Sequence, residues 1–146
     1  MEQKKSKYIH VQVFSPQGLI YDDFAYSCHV ESVIGGMTLL PNHAPILIAL
    51  AIDAVKVTRK DHRDQDKVDF IAVNGGVLEM RHNRIEIVSN SAINAKDIDE
   101  AKVAVEKQRA QEQLEDAKAT NDKVAFKRAQ ISLERAINML NVSNKR

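Results

Sequence analysis

Two hydrophobic rhythms divide this chain. Ile9, Val11 and Val13 alternate with His10, Gln12 and Phe14, the two-residue period of a strand with one buried face. Ser15-Pro16-Gln17-Gly18 reads as a turn, and Leu19-Ile20-Tyr21 as a return to extended chain. Phe24, Tyr26, Cys28 and Val30 form a further alternating run, ended by Gly35-Gly36. Val55 and Val57, then Phe70 to Val73, predict a hairpin whose loop is the polar stretch Asp61 to Lys67. Val77 to Met80 and Ile85 to Val88 predict another, joined by Arg81-His82-Asn83-Arg84. Many short strands with close turns point to a sandwich or flattened barrel.

Beyond residue 91 the rhythm changes to steps of three and four. All five Gly and all three Pro lie before residue 77, as do six of the seven aromatics, only Phe126 lying beyond. An Ala-, Lys-, Glu- and Arg-rich stretch without turn residues favours helix. Asp97 with Glu100 three residues on predicts a capping box and a helix running to about Ala119. Thr120-Asn121-Asp122 predicts a turn with a new N-cap, and a second helix running to about Asn141. The first helix offers Ile98, Ala101, Val105, Ala110, Leu114 and Ala117 as its apolar stripe. The second offers Phe126, Ala129, Leu133, Ala136, Ile137 and Leu140. Both stripes are narrow and alanine-rich, so the helices can approach closely while burying little area. The expected fold class is α+β in two modules. An N-terminal antiparallel β-sandwich, or flattened barrel, spans residues 1–91, and a C-terminal antiparallel helical hairpin that can detach spans residues 92–146.

Composition narrows the function. With Lys+Arg 21 against Asp+Glu 20 the net charge is +1, which makes no electrostatic case for nucleic acid. A single cysteine, Cys28, excludes an internal disulfide and fits a reducing compartment. No apolar run approaches the roughly 20 residues of a membrane span. Met1 to Lys7 is polar and basic with no apolar segment behind it, unlike a secretory signal. The expected location is cytoplasmic, or peripheral on a membrane complex.

The chemistry-bearing residues form no catalytic set. Cys28 and His29 are adjacent, so on a strand they face opposite ways. The five histidines include no i, i+4 metal pair. Asp61, Asp64 and Asp66 lack the spacing of a calcium loop, and Ala72 stands where its bidentate Glu belongs. Gly75-Gly76 is followed by no Gly-Lys-Ser/Thr, so a strand junction needing close approach or positive φ is the better reading than a phosphate cradle. His43, between Pro41 and Pro45, reads either as a surface turn residue or as a contact residue. The tail cations read either as a solvated face or as a docking surface.

Asn74-Gly75-Gly76-Val77-Leu78-Glu79-Met80-Arg81, followed by Arg84-Ile85-Glu86-Ile87-Val88, resembles the S-G-G-x-L-E-V-x pattern of the epsilon subunit of bacterial F-type ATP synthase. Leu39-Leu40-Pro41-Asn42-His43-Ala44-Pro45 resembles that family's G-I-L-P-x-H-A-P-L loop, and Asp97-Ile98-Asp99, Phe126-Lys127-Arg128-Ala129 and Glu134-Arg135-Ala136 match its helical region. The resemblance implies a noncatalytic subunit of the central rotor stalk, on the cytoplasmic face of a bacterial cell membrane and attached to that membrane only through the complex. It implies the gamma subunit and the c-subunit ring as partners, with Gly36, Met37, Asn42 and His43 facing the ring. It also implies helices that extend toward the alpha/beta catalytic head and inhibit ATP hydrolysis, with Lys123, Lys127, Arg128 and Arg135 as the basic face. Some members hold ATP on the folded hairpin through an I/L-D-x-x-R-A motif. The corresponding positions here are Ile98, Asp99 and Lys102, with Arg109 and Arg135 also matching. Lys102 and Val103 replace the motif's arginine and alanine, Ile93 its glutamate and Met139 an arginine, so ATP is expected to bind weakly or not at all and no cofactor is expected. Thr38 stands where the family has glycine. The alternative from another class is a generic adaptor whose hairpin docks a partner helix. A small β-barrel enzyme is a third, lacking any nucleophile-base or metal set.

Overall fold

A computed structural model of the chain describes residues 5–145. The first four positions of the basic start, and Arg146, lie outside the described residues. The chain divides into two units, Met1–Asn94 and Ala95–Arg146.

The first unit is built of eight strands: β1 (Ile9–Ser15), β2 (Gly18–Ala25), β3 (Ser27–Ser32), β4 (Gly35–Leu39), β5 (Ile46–Lys60), β6 (Asp66–Arg81), β7 (Arg84–Val88) and β8 (Ala92–Asn94). They are hydrogen-bonded in the order β2-β1-β7-β6-β5-β3-β4, with β8 on β6. Pairing is antiparallel except between β1 and β7, which run parallel, and the ladder does not close, so β2 and β4 remain edges. The first half of β6 carries β8 through Ile71 to Val73, while its second half carries β7 through Val77 to Arg81. The handover falls at Gly75 and Gly76, at φ +72° and +129°. A bend of this kind lets one strand serve two faces of a sandwich. Between the faces lie Ile9, Val11, Val13, Cys28, Val30, Leu39, Val55, Val57, Ile71, Leu78, Met80, Ile85 and Ile87, all buried.

Three expectations shift here. Phe24 and Tyr26 do not share the buried phase of Cys28 and Val30, because the chain bends at Tyr26 between β2 and β3; Ala25 is buried and Phe24 is 61% exposed. β5 begins nine residues before Val55, since its first half, Ile46 to Ala54, is a nearly continuous apolar run with no alternation to read. β8 extends the β unit to Asn94.

In the second unit a single 3-10 turn, Ala95–Asp97, precedes α1 (Glu100–Ala119), and α2 (Lys123–Ser143) follows. The cap of α1 is Asp99 rather than Asp97, because Asp97 closes the 3-10 turn; the Asp99 carboxylate accepts from the Lys102 N–H at 3.2 Å. Asp122 caps α2 in the same way, accepting from the Ala125 N–H. Asn121, at φ +54°, makes the turn between them. The buried positions are Val103, Ala110 and Ala117 on α1, and Ala129, Ala136, Val142 and Ser143 on α2, with Val142 beside the end of a seven-residue series. Val142 apart, each set is spaced by seven, the seam of an antiparallel coiled pair. Ala101 and Val105 lie off that seam and are exposed. Ser143 donates to the Glu100 carboxylate at 3.0 Å, joining the end of α2 to the start of α1.

Candidate functional site

Gly36 and Met37 lie on the edge strand β4, and Asn42 and His43 lie in the loop that follows it. Gly36 is paired with Glu31 across the ladder, and a Cβ there would meet the Glu31 carboxylate at 2.8 Å. Met37 is half-buried against the core, so only its neighbours are free to face outward. Asn42 adopts the left-handed conformation at φ +69°. Its side chain donates to the Ser6 carbonyl at 2.9 Å and accepts from the Ser6 N–H at 3.2 Å, while its own N–H donates to the Asn83 side-chain oxygen. Asn42 is therefore a staple joining the approach to β1, the β4–β5 loop and the β6–β7 turn at one end of the sandwich. His43 is exposed, and its Nδ1–H donates to the Ala44 carbonyl at 2.6 Å, leaving Nε2 as the accepting nitrogen of the neutral ring.

Thr38 sits in the β4 ladder with no positive φ, so nothing in the backbone demands glycine there. Its hydroxyl donates to His29 Nδ1 at 2.8 Å, and His29 Nε2–H donates to Glu31 at 3.0 Å. This Thr-His-Glu line follows the order of a nucleophile relay. His29 and Glu31 are both more than a third exposed, however, and the line ties two strands of an edge hairpin where water competes for every group.

At the other end of the sandwich, Arg59 on β5 donates to Asp69 on β6 at 2.6 Å, and Tyr21 on β2 donates to the same carboxylate oxygen at 2.7 Å. Burial alone pushes the Asp69 carboxyl up, but the hydrogen bonds from Arg59 and Tyr21 and the Arg59 charge outweigh it and hold it below the ordinary range. Burial followed by the bond to Asp69 raises the Tyr21 phenol. Cys28 is fully buried and its thiol is pushed up to about 12, the opposite of an activated nucleophile. Among the described residues no three His, Cys, Asp or Glu side chains gather as a metal set, and no helix is long and apolar enough to cross a membrane.

On the hairpin, Ile98 is buried and the Asp99 carboxylate is engaged as the cap. Ten residues of helix at 1.5 Å each put about 15 Å between Asp99 and Arg109 along α1. Lys102, Arg109 and Arg135 are exposed. The basic residues of α2 are also exposed, but at about 100° per residue they spread around the helix rather than forming one face. Arg128 and Arg135 share one flank of the buried seam, while Lys123 lies toward the opposite flank and Lys127 on the outer face.

A feature that sequence reading missed crosses the outer face of the β unit. Ala49 on β5 pairs with Val77 on β6, Val77 with Val88 on β7, Val88 with Phe14 on β1, and Phe14 with Leu19 on β2. Directly paired residues share a sheet face, so these five make one lateral apolar row. Val77, Val88 and Leu19 are 48%, 59% and 50% exposed. The next row along is Leu47, Glu79, Glu86, Gln12 and Asp22, an acidic margin beside the apolar one. The signal in the sequence was an apolar residue at the outward phase of each strand. It becomes a patch only once the register is known.

Among the described residues the chain forms two units, of which the β unit exposes an apolar row. Residues 8–95 match the family model of the ATP synthase Delta/Epsilon chain beta-sandwich domain, and residues 96–144 that of its long alpha-helix domain. The chain belongs to the ATP synthase delta/epsilon chain family. It also shares its fold with a chain in the cryo-EM structure of the Euglena gracilis mitochondrial ATP synthase (OSCP/F1/c-ring, rotational state 1). The TM-score is 0.76 at 17% identity, covering 97% of this chain and 84% of that one. A chain of the Tetrahymena thermophila mitochondrial ATP synthase central stalk/c-ring structure aligns at TM-score 0.47 and 17% identity, over 65% of this chain and 72% of that one.

Proposed function

We propose that this chain is a noncatalytic rotor subunit of a proton-translocating F-type ATP synthase, held on the cytoplasmic face of a bacterial cell membrane through the complex. In this reading the β unit joins gamma to the c-subunit ring, and the helical hairpin reaches the alpha/beta head to restrain ATP hydrolysis. Family membership supports the class. The apolar row from Ala49 to Leu19 carries the docking: an uncovered apolar band over five strands, margined by Glu79 and Glu86, suits a partner with an apolar stripe and basic flanks. The rigid Asn42 staple beside His43 suits a foot that must hold under torque. ATP is at most a weak ligand of the hairpin, because Asp99 is engaged as a cap and Lys102 replaces the forked guanidinium.

The test is co-purification of Val77→Lys/Val88→Lys with the gamma subunit. Both sites face solvent, so the variant should keep wild-type circular dichroism while retention falls on the order of a hundredfold, as when charges enter an apolar interface core. Retention equal to wild type by a folded variant would remove this face from the rotor contact.

A further inference from the structure

The helical hairpin has a closed end and an open one. At the closed end the Thr120 N–H donates to the Asp116 carbonyl, Asn121 turns the chain, and the Asp122 carboxylate caps α2. At the open end the first residue of α1, Glu100, meets the last residue of α2, Ser143. Counted outward from the turn in steps of seven, Ala117 lies level with Ala129, Ala110 with Ala136, and Val103 with Ser143. The two alanine layers offer little apolar area, so the outermost layer has the most to add. There Ser143 is 1% exposed, the one buried polar residue among the described positions of the two helices. Its hydroxyl lies 3.0 Å from the Glu100 carboxylate and 2.9 Å from the Leu140 carbonyl of its own helix. One hydroxyl carries one proton, so the two acceptors compete for it, and the ionised carboxylate is the stronger. With the helices apart the proton passes to Leu140, and the donor is not left unmet. The contact can therefore break and re-form without stranding a polar group.

We propose that Ser143 and Glu100 form the latch that keeps the hairpin closed, and so set how often α2 parts from α1. The inference rests on the rotor reading for what an opened hairpin does, and on the hairpin alone for the latch. Opening starts at this end, because the other is joined through the chain and capped. Each alanine layer contributes little, so one charge-assisted bond across the last layer weighs heavily in the balance between closed and open. The local bond to Leu140 makes release reversible: the hydroxyl waits with its proton engaged and returns to Glu100 when the helices close.

The experiment uses the full chain with nitroxide labels at Ala104→Cys and Asn141→Cys, two exposed positions near the open end, one on each helix. Cys28 is fully buried and takes no label. With the latch intact, pulsed electron resonance should give one short, narrow distance between the labels. Ser143→Ala or Glu100→Ala should raise the longer, open population on the order of tenfold. Alanine is a better helix former than serine, so a weaker α2 cannot produce that result, and helical circular dichroism should be unchanged. The double variant should open no further than either single one, since both remove the same bond. Unchanged distances in the single variants, additive opening in the double variant, or a wild-type chain already split between short and long distances would each overturn the latch. A second arm measures ATP hydrolysis by the assembled enzyme carrying Ser143→Ala. A released hairpin reaches the head more often, so hydrolysis should fall several-fold. Distances that lengthen while hydrolysis stays the same would leave the latch standing and remove the restraint from the rotor reading. Distances that stay short would remove the latch whatever the hydrolysis rate.

Discussion

At Gly76 a Cβ would lie 2.3 Å from the Val88 carbonyl oxygen while φ stands at +129°, so space and backbone both refuse a side chain. Gly36 differs: its φ is not positive, and an added Cβ meets only the end of the flexible Glu31 side chain. Gly76→Ala should therefore cost about 2–3 kcal/mol, and Gly36→Ala less than about 1 kcal/mol. Urea unfolding with unchanged m-values measures both, and equal costs would refute the assignment of the β6 bend to Gly76. The sequence made the glycine pair visible and a strand junction the better reading. It did not make visible which glycine is indispensable, because the obstructing carbonyl comes from β7. The same limit hid the role of Asn42. Polar turn residues at Asn42, His82 and Asn83 are legible as turns, and all three are left-handed. The hydrogen bonds from Asn42 to Ser6 and Asn83 cross 36 and 41 positions of sequence and leave no local trace.

The network of Tyr21, Arg59 and Asp69 locks β2, β5 and β6 together, and Asp23 adds a longer contact to Arg59 at 3.5 Å. Because the Asp69 carboxyl is held below its ordinary range, its contribution is present above the unfolded carboxylate value of about 4. It is lost as the pH falls through the folded value. Asp69→Asn removes the charge that Arg59 faces and should destabilise the β unit by about 1–3 kcal/mol at pH 7. The gap between variant and wild type should begin to narrow as the pH drops below about 4, where the unfolded carboxyl takes up its proton, and close once the pH passes the lower folded value. Denaturant midpoints from pH 7 to pH 3 read this directly, and a gap constant across that range would show that packing, not charge, sets the effect. Elements were legible where their rhythm was clean. β1 and the β6–β7 hairpin follow their periods closely, and both helices form, but their stripes were read only in part: Val103 is buried where Ala101 and Val105 were expected, and Ile137 is exposed. The front half of β5, in contact with other strands along both edges, has no polar phase to mark it, and the three residues of β8 are too few for any period. The capping residue moved from Asp97 to Asp99 because two aspartates two apart offer the same chemistry, and the 3-10 turn between Ala95 and Asp97 decides which one is used.

The two units hold themselves together by different means, and that difference bears on the proposed restraint of hydrolysis. The β unit encloses a continuous core of Val, Ile, Leu and Met. The hairpin closes on seven buried helix positions of which four are alanine, with two valines and one serine. At about 25 cal/mol per Å² the alanines contribute little each, so α1 and α2 gain from close approach more than from buried area. A chain ended after Asn94 keeps all eight strands and every residue of the β core. It should fold alone, with sheet-type circular dichroism, a cooperative melt, and the Val77 and Val88 face intact for gamma. Restored to the assembled enzyme, it should bind with unchanged stoichiometry and raise ATP hydrolysis several-fold, while Lys123→Ala/Lys127→Ala and Arg128→Ala/Arg135→Ala in the full chain show which of the two basic pairs carries the restraint. The paired measurements separate the claims. A truncated chain that fails to fold would refute the independence of the β unit. One that folds, assembles and leaves hydrolysis at the full-chain rate would refute the restraint while leaving the docking face untouched.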